Sequence, residues 1–172
     1  MKLRLLVTKD CNRTCAGCCN KDWNLDKLPI CQSYEGYDEI ILTGGEPMLH
    51  PDKVLKIIED IRTSRGYAWD KDGVKVYLQT AYVDNIGILR VGTKVDGVSV
   101  TLHEQVDVEP FIEFTHASFS FLPGRQSHRV NVFRGVQLDS TLYHSWRIKT
   151  DITWKKDCPI PADEVFMRVA NL

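Results

Sequence analysis

Residues 39–80 read EIILTGGEPMLHPDKVLKIIEDIRTSRGYAWDKDGVKVYLQT. Glu39–Thr43 is a short apolar run rich in branched residues, which predicts a strand, and it stops at Gly44-Gly45. From Pro51 to Arg65 the apolar residues Val54, Leu55, Ile57, Ile58 and Ile61 recur with charges between them. That spacing is the period of a helix with one apolar face. Pro51 suits the first turn, and Gly66 stands just past the end. Val74–Thr80 alternates and is β-branched, so it predicts a second strand. Strand, helix and strand in this order form a βαβ unit, whose two strands are parallel.

Working outward, Leu3–Thr8 predicts an earlier strand and Gly97–Leu102 a later one, with a weak helix at Val83–Arg90 between. Glu104–Phe114 has a helical pattern in spite of Pro110. Arg129–Phe133 and Trp146–Ile152 predict further strands, and Ala162–Ala170 a closing helix. Six strands are too few to close an eight-stranded barrel. The expected fold is therefore α/β, a partial, about six-stranded open parallel α/β barrel. One domain is expected over residues 1–172, with a core at 1–153 and a C-terminal helical extension at 154–172. Such folds bind ligands at the C-terminal ends of their strands. The loops Asp10–Lys21 and Gly44–Pro47 each begin where a predicted strand ends, so both belong to that rim.

The chain has 172 residues, 43% hydrophobic and 26% charged, enough for a core without disulfide or metal staples. Its formal net charge of −1 gives no reason to expect nucleic acid or a membrane as partner. No apolar run approaches the ~20 residues of a bilayer span. The start Met1–Val7 reads as a first strand rather than a signal peptide, and the expected location is cytoplasmic. Charge is nonetheless uneven. Residues 104–116 hold four acids and no Lys or Arg, whereas residues 120–156 carry a balance of +5. That basic third is either a solvated face or a surface for an acidic or phosphate-bearing partner.

Of six cysteines, Cys11, Cys15, Cys18 and Cys19 fall within nine positions; Cys31 and Cys158 stand apart. Such clustering in a cytosolic chain points to metal or redox chemistry rather than a disulfide framework. Cys11-x3-Cys15-x2-Cys18 supplies three thiolates from one loop. Three ligands suit a [4Fe-4S] cluster with one iron left open, since an electron-transfer cluster takes four. Structural zinc with Cys19 or Cys31 as fourth ligand is the alternative, although zinc ribbons pair two C-x2-C knuckles and only one exists here. Cys19 itself reads as a small buried apolar residue. Cys158 reads as a buried free cysteine, with a substrate-side thiol as the alternative. In the second loop, Gly44 and Gly45 permit close backbone approach, and Glu46 can accept hydrogen bonds from an ammonium group.

Cys11-Asn12-Arg13-Thr14-Cys15-Ala16-Gly17-Cys18, placed after the first strand, resembles the signature of the radical S-adenosylmethionine (SAM) superfamily. Thr43-Gly44-Gly45-Glu46-Pro47 is similar to the Gly-Gly-Glu motif of that family. The resemblance implies a [4Fe-4S] cluster on Cys11, Cys15 and Cys18, with SAM chelating the open iron and its amino group near Gly44, Gly45 and Glu46. It further implies reductive cleavage of SAM to methionine and a 5′-deoxyadenosyl radical that takes hydrogen from a substrate. Thr80, Ser99, Thr101, Asn131 and Arg134, at or near later strand ends, are the expected further SAM contacts. His103 follows the fourth strand and reads either as structural or as a proton donor. Many family members place an aromatic residue just before the third cysteine; this chain has Gly17.

Residues 15–23, Cys-Ala-Gly-Cys-Cys-Asn-Lys-Asp-Trp, further resemble the anaerobic ribonucleotide reductase activating proteins. That resemblance implies a glycyl-radical enzyme as partner and an electron donor such as flavodoxin or ferredoxin. The length of residues 104–172 keeps open a small-molecule enzyme similar to 7-carboxy-7-deazaguanine synthase. A non-catalytic zinc or iron-sulfur interaction module is a third possibility. No residue is assigned a catalytic role from sequence.

Overall fold

The computed structural model describes residues 1–83, 86–118, 127–139, 141, 145–155 and 157–172. Seven strands form one sheet: β1 (Lys2–Leu6), β2 (Glu39–Thr43), β3 (Lys75–Thr80), β4 (Gly97–Leu102), β5 (His128–Phe133), β6 (Trp146–Ile152) and β7 (Glu164–Arg168). Their order is β6-β5-β4-β3-β2-β1-β7, and every pairing is parallel. Among the described residues three α-helices connect them: α1 (Pro51–Arg65), α2 (Ile86–Gly92) and α3 (Val108–Ser118). The βαβ reading of residues 39–80 thus holds within a residue at each boundary.

Helix α1 forms where the apolar spacing places it, with Pro51 at its start and Gly66 as C-cap. Val54, Ile57, Ile58 and Ile61 are its buried residues. Arg62 fixes its last turn by donating to Val74 O at 2.6 Å and to the Asp96 carboxylate at 2.7 Å. Pro110 is tolerated in α3 because it lies in the first turn, where its missing N–H has no intrahelical partner to lose.

Successive residues of a strand face opposite sides, so each strand divides its side chains between two faces. Leu3, Leu5, Ile40, Leu42, Val76, Leu78, Val98, Val100, Leu102, Val130 and Val132 form one core cluster with the buried residues of all three helices. Burial of a side chain such as Phe111, with no exposed surface, accounts for about 3–5 kcal/mol on truncation to Ala. The alternate residues, among them Arg4, Thr43, Tyr77, Gln79, Ser99, Thr101, Arg129 and Asn131, form a second, largely polar face, here called the open face.

The C-terminal stretch corrects the expected helix over 162–170 and the count of six strands. Glu164–Arg168 is a strand paired with β1 from Lys2↔Glu164 to Leu6↔Arg168. Without it β1 would be an edge with unpaired backbone groups. Arg4 reinforces the pairing with two hydrogen bonds to the Glu164 carboxylate at 2.7 and 2.9 Å. On its far side β7 is bridged at Arg168 by Ile30. All five β7 residues are half-buried, so no alternation marks the strand in the sequence. Between β6 and β7, which lie at opposite edges, residues 153–163 cross the molecule. No helix among the described residues is long and apolar enough to cross a membrane.

Candidate functional site

The cysteine loop and the Gly-Gly-Glu loop leave the neighbouring strands β1 and β2 at their C-terminal ends and bond to each other through the backbone. Gly45 N donates to Thr8 O at 2.8 Å and Glu46 N to Asp10 O at 2.6 Å. The Asn20 side chain donates to Gly44 O at 3.1 Å. A Cβ added to Gly45 would meet Asp10 O at 2.1 Å and Lys9 O at 2.5 Å, so this contact exists only with glycine there. The outcome is one cavity of about 270 Å³ whose lining includes Cys11, Cys15, Cys18, Gly44, Gly45 and Glu46. The three cysteines are free thiols. Burial, then the charges of Cys18 and Cys11, raise the Cys15 thiol above its ordinary pKa, with Arg13 opposing.

Glu46 is almost fully buried at 2% exposure. Its Oε1 accepts from Met48 N at 3.0 Å and from Thr80 Oγ1 at 2.5 Å, and its Oε2 accepts from Ala81 N at 2.8 Å. Burial raises its pKa, and those three hydrogen bonds together with Arg13 work against the rise. A carboxylate has about four acceptor sites. One site of Oε2 remains for a further donor in the cavity.

Arg13, inside the cysteine signature, ties the loop to the far side of the sheet. Its guanidinium donates to both oxygens of Asp107, at 2.5 and 3.0 Å, and to Ala81 O at 3.0 Å. Asp107 also accepts from the backbone N–H groups of His103 and Glu104. Burial pushes the Asp107 carboxyl up, but Arg13 and the two N–H donors outweigh it and hold the pKa below the ordinary value. The cysteine loop is thus anchored to the β4–α3 connection as well as to β2.

The crossing segment supplies the opposite wall through Trp154, Cys158, Pro159, Ile160 and Pro161. Trp154 stacks on His103 at 5.2 Å and 11°, and packs against Phe133 at 4.4 Å. A Cβ on Gly17 would lie 2.5–2.7 Å from three atoms of the Trp154 side chain. The tryptophan thus fills the space that any larger residue before Cys18 would need. Asp157 and Cys158, two consecutive non-glycine residues, have positive φ of 61° and 31°. Positive φ costs such residues roughly 1–2 kcal/mol each, so the wall is held in a strained turn. Cys158 is buried as expected but is disulfide-bonded, not free.

The other expected contacts are dispersed. Thr80 is buried on Glu46 and does not line the cavity. Ser99 lines a separate cavity lower on the open face, and Asn131 donates to its Oγ at 3.4 Å. Thr101 stands beside Asn131 on the same face. Arg134 is largely exposed and 3.9 Å from Asp151. His103 does line the cysteine cavity, where burial and then the Arg13 charge depress its pKa, so the ring is neutral at physiological pH. Cys31 stays apart, its Sγ donating to Ser33 O. The Cys19 side chain lies outside the described residues. Sequence reasoning missed Arg13, Asn20, Asp107 and Trp154 as parts of the site. Only Asn20 carried a signal, through its place in the local resemblance.

Among the described residues no three His, Cys, Asp or Glu side chains converge tightly enough to ligate a single metal ion. The chain matches no protein family, no curated protein and no solved structure.

Proposed function

We propose that the chain is a radical SAM enzyme, with Cys11, Cys15 and Cys18 holding a [4Fe-4S] cluster and Gly44, Gly45 and Glu46 receiving the methionyl end of SAM. The observation that carries this reading is the joining of the two loops. Thr8 and Asp10 are bonded backbone to backbone with Gly45 and Glu46, and all six motif side chains or backbones line one cavity. The donor set supports a cluster over zinc, since three cysteines suit a [4Fe-4S] cluster with one open iron, whereas structural zinc takes four ligands. Cys31, one of two candidates for a fourth zinc ligand, is not in the cavity.

Cluster and SAM together supply the chemistry, reductive cleavage of the sulfonium to methionine and a 5′-deoxyadenosyl radical. The protein supplies the rest. Three thiolates leave one iron position open, and the remaining acceptor site of Glu46 Oε2 can accept a hydrogen bond from an ammonium N–H. Arg13 and Asp107 hold the loop in place, and Trp154 and His103 line one wall. An electron donor such as flavodoxin or ferredoxin would meet the protein at the exposed cysteine loop.

On the substrate, the crossing segment favours the small-molecule alternative over a glycyl-radical partner. A wall of Trp154 and Cys158–Pro161 lies along one side of the cavity, which narrows the approach for a protein loop more than for a small molecule. The deciding experiment is anaerobic reconstitution with iron and sulfide, followed by dithionite and SAM, with assay for 5′-deoxyadenosine. Product formation is expected. Tight zinc binding in place of iron, or a cluster that never cleaves SAM, would return the chain to the class of interaction modules.

A further inference from the structure

The open face continues downward from the cysteine cavity, and its two halves treat charge differently. On the β1–β2 side both open-face cations, Lys2 and Arg4, have a carboxylate, while Arg168 of β7 donates to the Val169 and Ala170 carbonyls. Lys2 lies 2.9 Å from Asp163 and 3.9 Å from Glu39, and Arg4 lies 2.7 Å from Glu164. On the β5–β6 side the register sets Arg129 directly opposite Arg147, and Asn131 opposite Lys149. All three cations are exposed, and none makes an ion pair with a carboxylate among the described residues. Like charges directly opposite on neighbouring strands repel, so their side-by-side placement is unfavourable unless an anion joins them.

Two further observations converge on the same spot. Burial and the carboxylates of Glu39 and Asp96 raise the Tyr77 phenol above its ordinary pKa, while both Arg129 and Arg147 act to lower it. The two guanidiniums therefore bear on one hydroxyl of the open face. Beside it is a cavity of about 180 Å³ whose lining includes Tyr77, Gln79, Ser99, Ser127 and Arg129, all capable of donating to an oxyanion. Glu39 and Glu164 close its other side and set its limit, since an anion is excluded there.

We propose that Arg129 and Arg147, with the hydroxyls of Ser99 and Tyr77, bind the anionic end of a small substrate, a phosphate or a carboxylate. Calling that molecule a substrate rests on the radical SAM reading; the anion site itself does not. Arg129 lies four residues below Phe133, which packs on Trp154 at the cysteine cavity. At ~3.3 Å per residue the two sites are ~13 Å apart, the reach of a small metabolite anchored at one end. Three cations without an ion-pair partner, Arg129, Arg147 and Lys149, match one small anion rather than the many phosphates of a nucleic acid.

The test is titration calorimetry of the full chain, purified without added cluster, with inorganic phosphate and separately with malonate at low ionic strength. Saturable binding of at least one anion is expected, about tenfold weaker in Arg129→Gln and in Arg147→Gln. Lys56→Gln, an exposed cation on α1, is expected to match the wild type. Preference for phosphate would identify a phosphate ester and preference for malonate a carboxylate, each in line with the proposal. Equal affinity in wild type and both arginine variants, or no saturation by ~10 mM of either anion, would overturn it. Failure to assemble a cluster would defeat the radical SAM reading and leave this titration unaffected.

Discussion

On one face of the sheet, Leu3, Leu5, Ile40, Leu42, Val76 and Leu78 meet three helices in a continuous apolar core. On the other, Arg4, Thr43, Ser99 and Asn131 lie outside the helix-packed core among the described residues, and the crossing segment approaches from the far end of the chain. The first face is built by local rules, since each helix lies between the strands it covers and brings its own apolar stripe. The second is built by closure, with residues about 90 to 160 apart in the chain paired across it, as in Arg13–Asp107 and Arg4–Glu164. Stability should therefore reside mainly in the helix-covered face and chemistry mainly in the open one.

The sharpest way to break that division is at the cysteines. Cys15→Ala is expected to abolish both the cluster and 5′-deoxyadenosine formation after reconstitution, with at most a small change in thermal unfolding of the cluster-free chain. Retained cleavage would show that the ligands are misassigned. A drop in unfolding temperature as large as a core truncation would show that the loop is structural. The complementary pair is Phe111→Ala and Thr101→Ala. Urea unfolding should report about 3–5 kcal/mol lost for the fully buried phenylalanine. The open-face threonine should stay within about 0.5 kcal/mol.

Asp107 tests the boundary between the faces, because it is buried and yet serves the cysteine loop. Asp107→Asn should cost about 3 kcal/mol, since Arg13 keeps its charge and loses its anion. The pH dependence follows from the depressed carboxyl pKa. Its contribution is present above the unfolded value of about 3.9 and is lost as pH falls through the lower folded value. Urea midpoints taken down the acid range should show this loss in the wild type and a shallower one in Asp107→Asn. Identical acid limbs would mean that the ion pair does not hold the loop.

How far each part was legible follows from the same difference. The strands and helices of residues 39–80 and 97–118 could be read because period and caps are local signals. The cysteine and Gly-Gly-Glu loops could be read because their residue types are rare and closely spaced. Strand β7 could not, because half-burial of all five residues removes alternation, and only the free edge of β1 selects a strand there. The direction of Thr80 could not be read either, since its hydroxyl is turned onto Glu46, 34 residues earlier. Arg13 looked like an ordinary loop residue because Asp107 lies 94 positions away.

Gly17 offers the finest test, because there the closure mechanism explains a residue that the superfamily resemblance could only mark as a departure. A methyl group at position 17 would come within 2.5 Å of the Trp154 ring. Trp154 is itself held by His103 and Phe133, so swinging aside would break its stack on the one and its packing on the other. Gly17→Ala is therefore expected to cost about 1–3 kcal/mol, the ordinary penalty of overpacking. It should also change tryptophan emission as the indole leaves its stack. In Gly17→Ala/Trp154→Ala the space is free again, so the penalty of the alanine at 17 should fall to near zero when measured against Trp154→Ala alone. An undiminished penalty in that background would place its origin in the backbone of the cysteine loop and separate the loop from the crossing segment. A vanishing penalty would show that the C-terminal crossing determines which residue can stand beside the third cysteine.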